Sequence, residues 1–268
     1  MSEGPLDAYR IPREPYYRAL ADEISLFEAA YAARLPVMLK GPTGCGKTRF
    51  VEHMAWRLRR PLLTVACNEE MSASDLLGRY LLESGATRWQ DGPVTMAARH
   101  GAICYLDEVV EARQDTLVVI HPLTDDRRLL SLPARSEALR AHPDFLLVVS
   151  HNPGYQSALK ELKPSTKQRF GAIAFDYPPR ALEIEILVHE TELARDLAER
   201  LVTVAEGARR LKGHGLDEGV STRMLVHAGE LIRRGVDVEA ACRMALVQPL
   251  TDDPDLVSAL NTTVRACL

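Results

Sequence analysis

The chain has 268 residues, 46% of them hydrophobic and 26% charged, a composition typical of a globular protein and not of a disordered or low-complexity one. Its 33 basic and 37 acidic residues give a net charge of −4, which argues against a broad nucleic-acid-binding surface. No apolar run approaches the roughly 18 residues that a membrane span needs, the N-terminus lacks a signal-peptide pattern, and the five cysteines never occur as C-x-x-C, so we expect a cytoplasmic protein with reduced thiols.

Strand-like and helix-like patterns alternate through the first two thirds of the chain. A helical apolar spacing stops at Pro36, a short apolar run follows, and a glycine-rich loop then leads into a second helix. This alternation predicts an α/β fold with a parallel sheet and flanking helices. The predicted helices are residues 14–34 and 48–60, and the predicted strands are residues 37–39, 62–67, 102–106, 145–150 and 172–175.

Two stretches of this α/β part are longer than a simple crossover requires. Residues 68–99 are broken by glycines and are interpreted as an insertion, and residues 127–140 have the pattern of a hairpin placed before the fourth strand. Beyond residue 177 the pattern is helical only, so we expect an α/β domain over residues 1–177 and a small all-helical lid domain over residues 178–268. The helices predicted in the lid are residues 182–189, 193–211, 221–234 and 238–247.

An eight-residue stretch after the first strand matches the phosphate-binding pattern G-x-x-x-x-G-K-[ST] at every fixed position. Glycines let successive backbone N–H groups point at phosphate oxygens, and the following helix adds its positive end. Lys47 is expected to reach the β- and γ-phosphates, and Thr48 is expected to ligate Mg²⁺. The sequence therefore predicts a site for ATP and Mg²⁺ formed by Gly41, Pro42, Thr43, Gly44, Cys45, Gly46, Lys47 and Thr48.

The third predicted strand ends in two adjacent carboxylates, Asp107 and Glu108. The carboxyl ends of parallel strands form the ligand-binding edge of a sheet, so Asp107 is expected beside Thr48 as a ligand of Mg²⁺. Glu108 is expected to orient or deprotonate the attacking water. A solvated turn is the alternative for an isolated Asp-Glu pair, but the complete phosphate loop upstream favours the catalytic interpretation.

These residues resemble the AAA+ ATPases, and within them the MoxR branch and its CbbQ/NorQ subgroup. The resemblance runs from about residue 9 to about residue 256, so it covers almost the whole chain. It implies a P-loop ATPase whose Walker A and Walker B motifs are the phosphate loop and the acidic pair. The stretches that carry it are PVMLKGPTGCGKTRFVE (36–52), WQDGPVTMAARHGAICYLDEVVEAR (89–113), VSHNPGYQ (149–156), KPSTKQRF (163–170) and KGHGLDEGVSTRMLVHA (212–228).

The resemblance implies roles for three more residues. Asn152 matches the sensor-1 residue that positions the lytic water, although Asn-Pro is also a turn signal. Arg169 matches the arginine finger that one subunit supplies to the ATP of its neighbour, and a surface arginine within a lysine cluster is the alternative. Arg223 matches sensor 2, which reaches the γ-phosphate within its own subunit, and an exposed arginine in a first helical turn is the alternative.

The resemblance also implies partners and a client. Members of the family form rings, usually hexamers, and act with an adaptor that carries a von Willebrand A domain. CbbQ proteins reactivate inhibited Rubisco, whereas their NorQ and NirQ relatives serve the maturation of nitric oxide reductase. Rubisco is therefore the first expected client, and nitric oxide reductase or another metalloenzyme is the second. Residues 69–82 contain Tyr80 but no aromatic–hydrophobic–glycine tripeptide, so we expect partial pulling of a client and not full threading.

Three other classes of protein remain alternatives at this point. A nucleic-acid motor or clamp loader would use the same loop, but the net charge argues against it. A small-molecule kinase would also use the loop, but it needs no arginine from a neighbouring subunit. A nucleotide-gated scaffold with feeble turnover would keep its function after loss of the Glu108 carboxylate.

Overall fold

The computed structural model describes residues 5–83, 85–153, 162–213 and 215–268. The chain divides into two compact units, which we call the sheet unit and the helical unit. The sheet unit extends to Lys40 and resumes over Lys47–Ala174, and the helical unit comprises Gly41–Gly46 and Phe175–Leu268. The glycine-rich loop is therefore grouped with the helical residues, although the chain on both sides of it belongs to the sheet unit.

Five parallel strands form the centre of the sheet unit. The strands of the described residues are β1 Val37–Lys40, β2 Leu62–Ala66, β3 Gly78–Glu83, β4 Ala86–Asp91, β5 Ile103–Asp107, β6 Leu129–Leu132, β7 Glu137–Arg140, β8 Leu146–His151 and β9 Gly171–Ala174. The main sheet has the order β2-β5-β8-β1-β9, and all of its strand pairs are parallel. β5 and β8 are buried on both faces, which is typical of parallel strands covered by helices on either side. The prediction of a parallel α/β sheet is confirmed.

Helices cover the sheet and make up most of the helical unit. Those of the sheet unit are α1 Glu23–Ala32, α2 Lys47–Arg57, α3 Ala73–Leu77, α4 Pro93–His100, α5 Gln114–Leu117 and α6 Pro164–Lys167. Those of the helical unit are α7 Arg180–Thr191, α8 Arg195–Arg209, α9 Thr222–Arg233, α10 Val238–Cys242 and α11 Pro254–Cys267. Their apolar faces pack into a separate core, and α9 and α11 begin at capping residues, Ser221 and Asp253, whose side chains accept backbone N–H bonds.

Two antiparallel hairpins, β3–β4 and β6–β7, extend the sheet unit. The predicted insertion contains the first, and the predicted hairpin at residues 127–140 contains the second. Arg99 of α4 joins them, because its guanidinium lies 2.9 Å from Asp91 of β4 and 3.0 Å from Glu137 of β7. The Tyr80 hydroxyl of β3 also donates to the Ala134 carbonyl between β6 and β7, at 3.3 Å.

The predicted helix over residues 14–34 is wrong in its first half, because α1 begins only at Glu23. The Glu23 carboxylate explains the late start. It accepts hydrogen bonds from the Tyr17 hydroxyl and from the backbone N–H groups of Leu20 and Ala21, at 2.6, 2.6 and 2.8 Å. These bonds hold the preceding residues in turns, which compete with helix formation.

Other elements were not predicted from the sequence. The helix α11 lies beyond the last predicted helix, and β3 and β4 were interpreted only as parts of an insertion. None of the helices in the described part of the chain combines the length and the apolarity needed to cross a membrane.

Candidate functional site

The carboxyl ends of neighbouring strands meet at one edge of the main sheet. β1 leads into the glycine-rich loop, β5 ends at Asp107, and Ser150 near the end of β8 lies opposite Leu39 of β1. Open α/β sheets bind their ligands at this edge. The strand order therefore brings the acidic pair and β8 to the edge from which the loop departs.

Hydroxyl groups hold the Asp107 carboxylate in a defined orientation. Its Oδ1 accepts hydrogen bonds from the Tyr105 hydroxyl at 2.6 Å and from the Ser150 hydroxyl at 2.5 Å. Its Oδ2 lies 3.4 Å from the Thr48 hydroxyl, a distance longer than that of a strong O–H···O bond. One carboxylate oxygen is thus occupied by the protein, and the other faces Thr48 at the start of α2.

Glu108 adopts a left-handed backbone conformation, with φ at 53°. That conformation costs a residue other than glycine roughly 1–3 kcal/mol, so the surroundings must support it. The Glu108 N–H donates to the Ser150 hydroxyl at 2.7 Å, and its carbonyl accepts from the Glu111 N–H at 2.8 Å. Ser150 therefore supports both members of the acidic pair.

Burial keeps the groups around the acidic pair in their neutral forms. The pKa of Tyr105 is raised by burial and by the adjacent Asp107 carboxylate, so its hydroxyl stays protonated and acts as a donor. Burial and the negative charges of Asp107 and Glu108 raise the pKa of the Cys67 thiol to about 12. Tyr105 and Cys67 therefore contribute no negative charge to this part of the sheet edge.

The glycine-rich loop needs glycine for two separate reasons. Gly44 and Gly46 have φ values of 69° and 104°, a region that L side chains rarely adopt. A methyl group at Gly44 would also lie 2.6 Å from the Ser221 hydroxyl oxygen. Lys47 and Thr48 lie in the first turn of α2, and the positive N-terminal end of a helix favours an anion.

Arg223 lies next to this loop within the helical unit. Its backbone N–H donates to the Gly44 carbonyl at 3.4 Å, and its Cβ would be 3.2 Å from a methyl group placed on Gly44. Ser221, the residue that caps α9, accepts a hydrogen bond from the Met224 N–H at 3.3 Å. The predicted sensor-2 residue therefore occupies the first turn of a capped helix that adjoins the loop.

The other two residues predicted from the family resemblance lie in different places. Asn152 directly follows β8, two residues beyond Ser150. Arg169 lies between α6 and β9, where its ion-pair partner among the described residues is Asp125, at 3.9 Å. Residues 154–156 of the VSHNPGYQ stretch, Lys160 of the lysine cluster near Arg169, and His214 lie outside the described residues.

The residues present fit a Mg²⁺ ion bound together with a nucleotide. Hydroxyl and carboxylate oxygens are the ligands that Mg²⁺ prefers, and Thr48 and Asp107 present one of each, 3.4 Å apart. The first turn of α2 supplies the positive end of a helix and the ammonium group of Lys47, which suit phosphate oxygens. This donor set is appropriate for a nucleoside triphosphate with its metal ion.

Two residues of the site, Tyr105 and Ser150, were not singled out from the sequence. Tyr105 precedes Asp107 by two residues, so strand alternation alone places both on the same face of β5. Ser150 has no such local signal, because its contact with Asp107 depends on the pairing of β5 with β8.

The five-stranded parallel sheet, the complete phosphate loop and the acidic pair at the sheet edge define a P-loop ATPase of the AAA class. Residues 36–170 match the family model described as AAA domain (dynein-related subfamily). A solved structure of RuvB from Thermotoga maritima shares the fold, with a TM-score of 0.56 at 17% identity over 90% of this chain and 68% of that one.

The remainder of the chain matches a narrower family. Residues 183–267 match the model described as CbbQ/NirQ/NorQ C-terminal. Protein CbbQ of Hydrogenophilus thermoluteolus is 63% identical over 257 residues, 96% of each chain, and protein NorQ of Paracoccus denitrificans is 57% identical over 252 residues, 94% of this chain and 93% of that one. The chain belongs to the CbbQ/NirQ/NorQ family of AAA ATPases, which confirms the resemblance found in the sequence.

Proposed function

We propose that this chain binds ATP with Mg²⁺ at residues 41–48 and hydrolyses it at the sheet edge. The observation that carries the proposal is the Asp107 carboxylate, which the Tyr105 and Ser150 hydroxyls orient while its second oxygen faces Thr48. A carboxylate fixed in this way requires little reorganisation on binding its ligand, so its electrostatic effect is available at once.

Each residue of the loop and of the acidic pair has a distinct task in this proposal. Lys47 binds the β- and γ-phosphates, and Thr48 and Asp107 hold the metal ion. Bound Mg²⁺ neutralises charge on the phosphate oxygens. Glu108 orients the attacking water and accepts its proton, a contribution of roughly 10²–10⁴ in rate.

Three further residues extend the proposal to a site shared between subunits. Asn152 helps to position the water from the end of β8, and Arg223 reaches the γ-phosphate within its own subunit. Arg169 stabilises the transition state in the neighbouring subunit, an effect of roughly 10³–10⁵ in rate in GTPase analogues. Turnover would then change the interface between subunits.

The motor acts on a protein client. We infer a homo-oligomeric ring, most simply a hexamer, that works with a von Willebrand A-domain adaptor and reactivates inhibited Rubisco. Family membership supports this inference, and it supports a second candidate, the maturation of nitric oxide reductase or another metalloenzyme, because CbbQ and NorQ proteins belong to one family.

The first test is ATP hydrolysis against protein concentration for the wild type, Glu108→Gln and Arg169→Ala, with ATP binding measured separately. A shared site predicts that activity per subunit rises with concentration and that both variants bind ATP but hardly hydrolyse it. Arg113→Ala is a matched control, because Arg113 is an exposed arginine whose ion-pair partner within the described residues is the nearby Asp115. If activity per subunit does not depend on protein concentration and Arg169→Ala is fully active, the proposal of a shared site is wrong.

The client is tested with the adaptor present. Rubisco inhibited by a sugar phosphate is incubated with the chain, its adaptor and ATP, and recovered carboxylation is measured. Recovery with the wild type but not with Glu108→Gln supports the Rubisco client and excludes the nucleotide-gated scaffold. No recovery, combined with restored maturation of nitric oxide reductase in a deletion strain, supports the second candidate.

A further inference from the structure

Two separate segments of the sheet unit meet beside Arg169. The first is a 3₁₀ helix, Val118–Leu123, with the turn that follows it, and the second is α6 with the residues leading to β9. His121 Nε2 lies 3.3 Å from the Thr166 hydroxyl, and Asp125 Oδ2 lies 3.9 Å from an Arg169 guanidinium nitrogen. The first segment thus contacts both α6 and Arg169.

Asp125 has the features of a residue that orients a guanidinium. Its Oδ1 is buried and, within the described residues, accepts no hydrogen bond. Its Oδ2 is shared between Arg169 and the largely exposed Arg127, which lies 3.4 Å away. A buried carboxylate oxygen without a donor is costly, and a guanidinium is the side-chain group that can donate to both oxygens of a carboxylate.

Two cationic side chains, Arg127 and Lys163, also lie in this region, beside the exposed carboxylate of Asp126. Burial and the positive charges of Arg169 and Lys163 lower the pKa of His121, so that its ring is neutral at pH 7. Asp125 therefore supplies a carboxylate at a point where cations would otherwise repel the Arg169 guanidinium.

We propose that Asp125 is a positioning residue for Arg169 and holds its guanidinium in the orientation from which it reaches the ATP of a neighbouring copy of this chain. The proposal rests on the role of Arg169 in the proposed function. Arginine has many rotamers, and a displacement of about 1 Å in a reacting group can reduce a rate by roughly 10²-fold. Asp125 limits that freedom without touching the nucleotide.

The inference predicts a specific kinetic defect. Asp125→Ala and Asp125→Asn should lower kcat for ATP by about 10- to 100-fold and leave the affinity for ATP unchanged, because the phosphate loop of the same subunit is intact. Asp125→Glu, which keeps the charge, should recover part of the loss. Asp126→Ala is the matched control, since it removes an adjacent, exposed carboxylate, and it should behave as wild type.

Mixed rings test whether Asp125 acts in the subunit that donates the arginine. Asp125→Asn subunits keep a complete ATP site but position their own arginine poorly, whereas Glu108→Gln subunits lack hydrolysis but have an intact Arg169 and Asp125. Mixing the two should give more activity than either variant alone. A residue needed only for folding or for its own ATP site would give no such gain.

Mixing Arg169→Ala subunits with Glu108→Gln subunits tests the arginine finger separately from the role of Asp125. If that pair gains activity and the Asp125→Asn pair does not, the role of Asp125 is overturned while the shared site stands. If neither pair gains activity and Arg169→Ala alone is fully active, the proposed arginine finger fails, and the role of Asp125 fails with it. Full activity of both Asp125→Ala and Asp125→Asn would also overturn the inference.

Discussion

A buried ion pair in the helical unit provides a direct test of how α9 is held. The Glu183 side chain is fully buried, and Arg209 binds both of its oxygens, at 2.6 and 2.8 Å. The Thr222 hydroxyl donates to the same carboxylate at 2.6 Å, and the guanidinium also stacks over the Tyr177 ring at 4.1 Å. We consider the substitution Arg209→Met, which keeps an unbranched apolar stem but removes the cation.

The size of the effect follows from the burial of the partner. Removing one member of a buried ion pair leaves the other charge without compensation, which costs about 3–5 kcal/mol. Loss of the stacking on Tyr177 adds up to about 2 kcal/mol. We therefore expect the helical unit to lose about 4 kcal/mol or more. The exposed pair Arg180–Glu206, 2.7 Å apart, should be worth only about 0–1 kcal/mol.

Hydrogen exchange of backbone amides in α7, α8 and α9 measures this loss within the helical unit. A change of about 4 kcal/mol corresponds to roughly a thousandfold faster exchange of the slowest amides. Trp56 and Trp89 both belong to the sheet unit, so their fluorescence reports that unit separately. The double variant Glu183→Leu/Arg209→Met should be more stable than Arg209→Met, because it buries no unpaired charge.

If Arg209→Met lowers the stability of the helical unit no more than the surface control Arg180→Ala does, then the burial of the Glu183 charge does not set the cost. The double variant gives a second check. If the losses of stability from Glu183→Leu and Arg209→Met simply add in the double variant, the two side chains are not coupled, which contradicts the buried ion pair as the cause.

Three further changes test the site and the core. Ser150→Ala removes a hydrogen-bond donor to Asp107, so we expect the free energy of unfolding, measured by denaturation, to fall by about 1–3 kcal/mol. ATP hydrolysis should also become slower, and unchanged turnover would contradict the role of Ser150 in the site. Gly44→Ala places a methyl group 2.6 Å from a hydroxyl oxygen at φ 69°, so fluorescent-nucleotide binding should weaken about tenfold. Gly213→Ala is the control and should bind as wild type, because φ is also positive there but no atom of the described residues lies within 4 Å of the added methyl group. Burial raises the pKa of the Cys104 thiol to about 12, so the folded chain keeps a proton that the unfolded chain releases above its lower pKa. The free energy of unfolding should therefore fall by up to about 1.4 kcal/mol per pH unit as the pH rises from about 9 toward 12. Denaturation of Cys104→Ala at the same pH values should show a smaller fall.

Local patterns predicted the elements that surround the site. The apolar runs at β1, β5 and β8 and the glycines after β1 were visible as short-range signals, since a buried parallel strand and a phosphate loop each impose their own residue types. The length of α1 was overestimated because the helical spacing before Pro36 extends into residues that the Glu23 carboxylate holds in turns. No periodic signal at residues 14–34 reveals that competition.

The chemistry of the site could be predicted from the sequence. The phosphate loop, the adjacent carboxylates and the motifs of the family each consist of residues close together in the chain. Contacts between residues far apart in the chain, by contrast, are visible only in the tertiary structure. Ser150 reaches Asp107 because β5 and β8 are neighbours, Asp125 reaches Arg169 across 44 positions, and Arg209 reaches Glu183 across 26. Contacts of this range depend on strand order and helix packing, which no local pattern encodes.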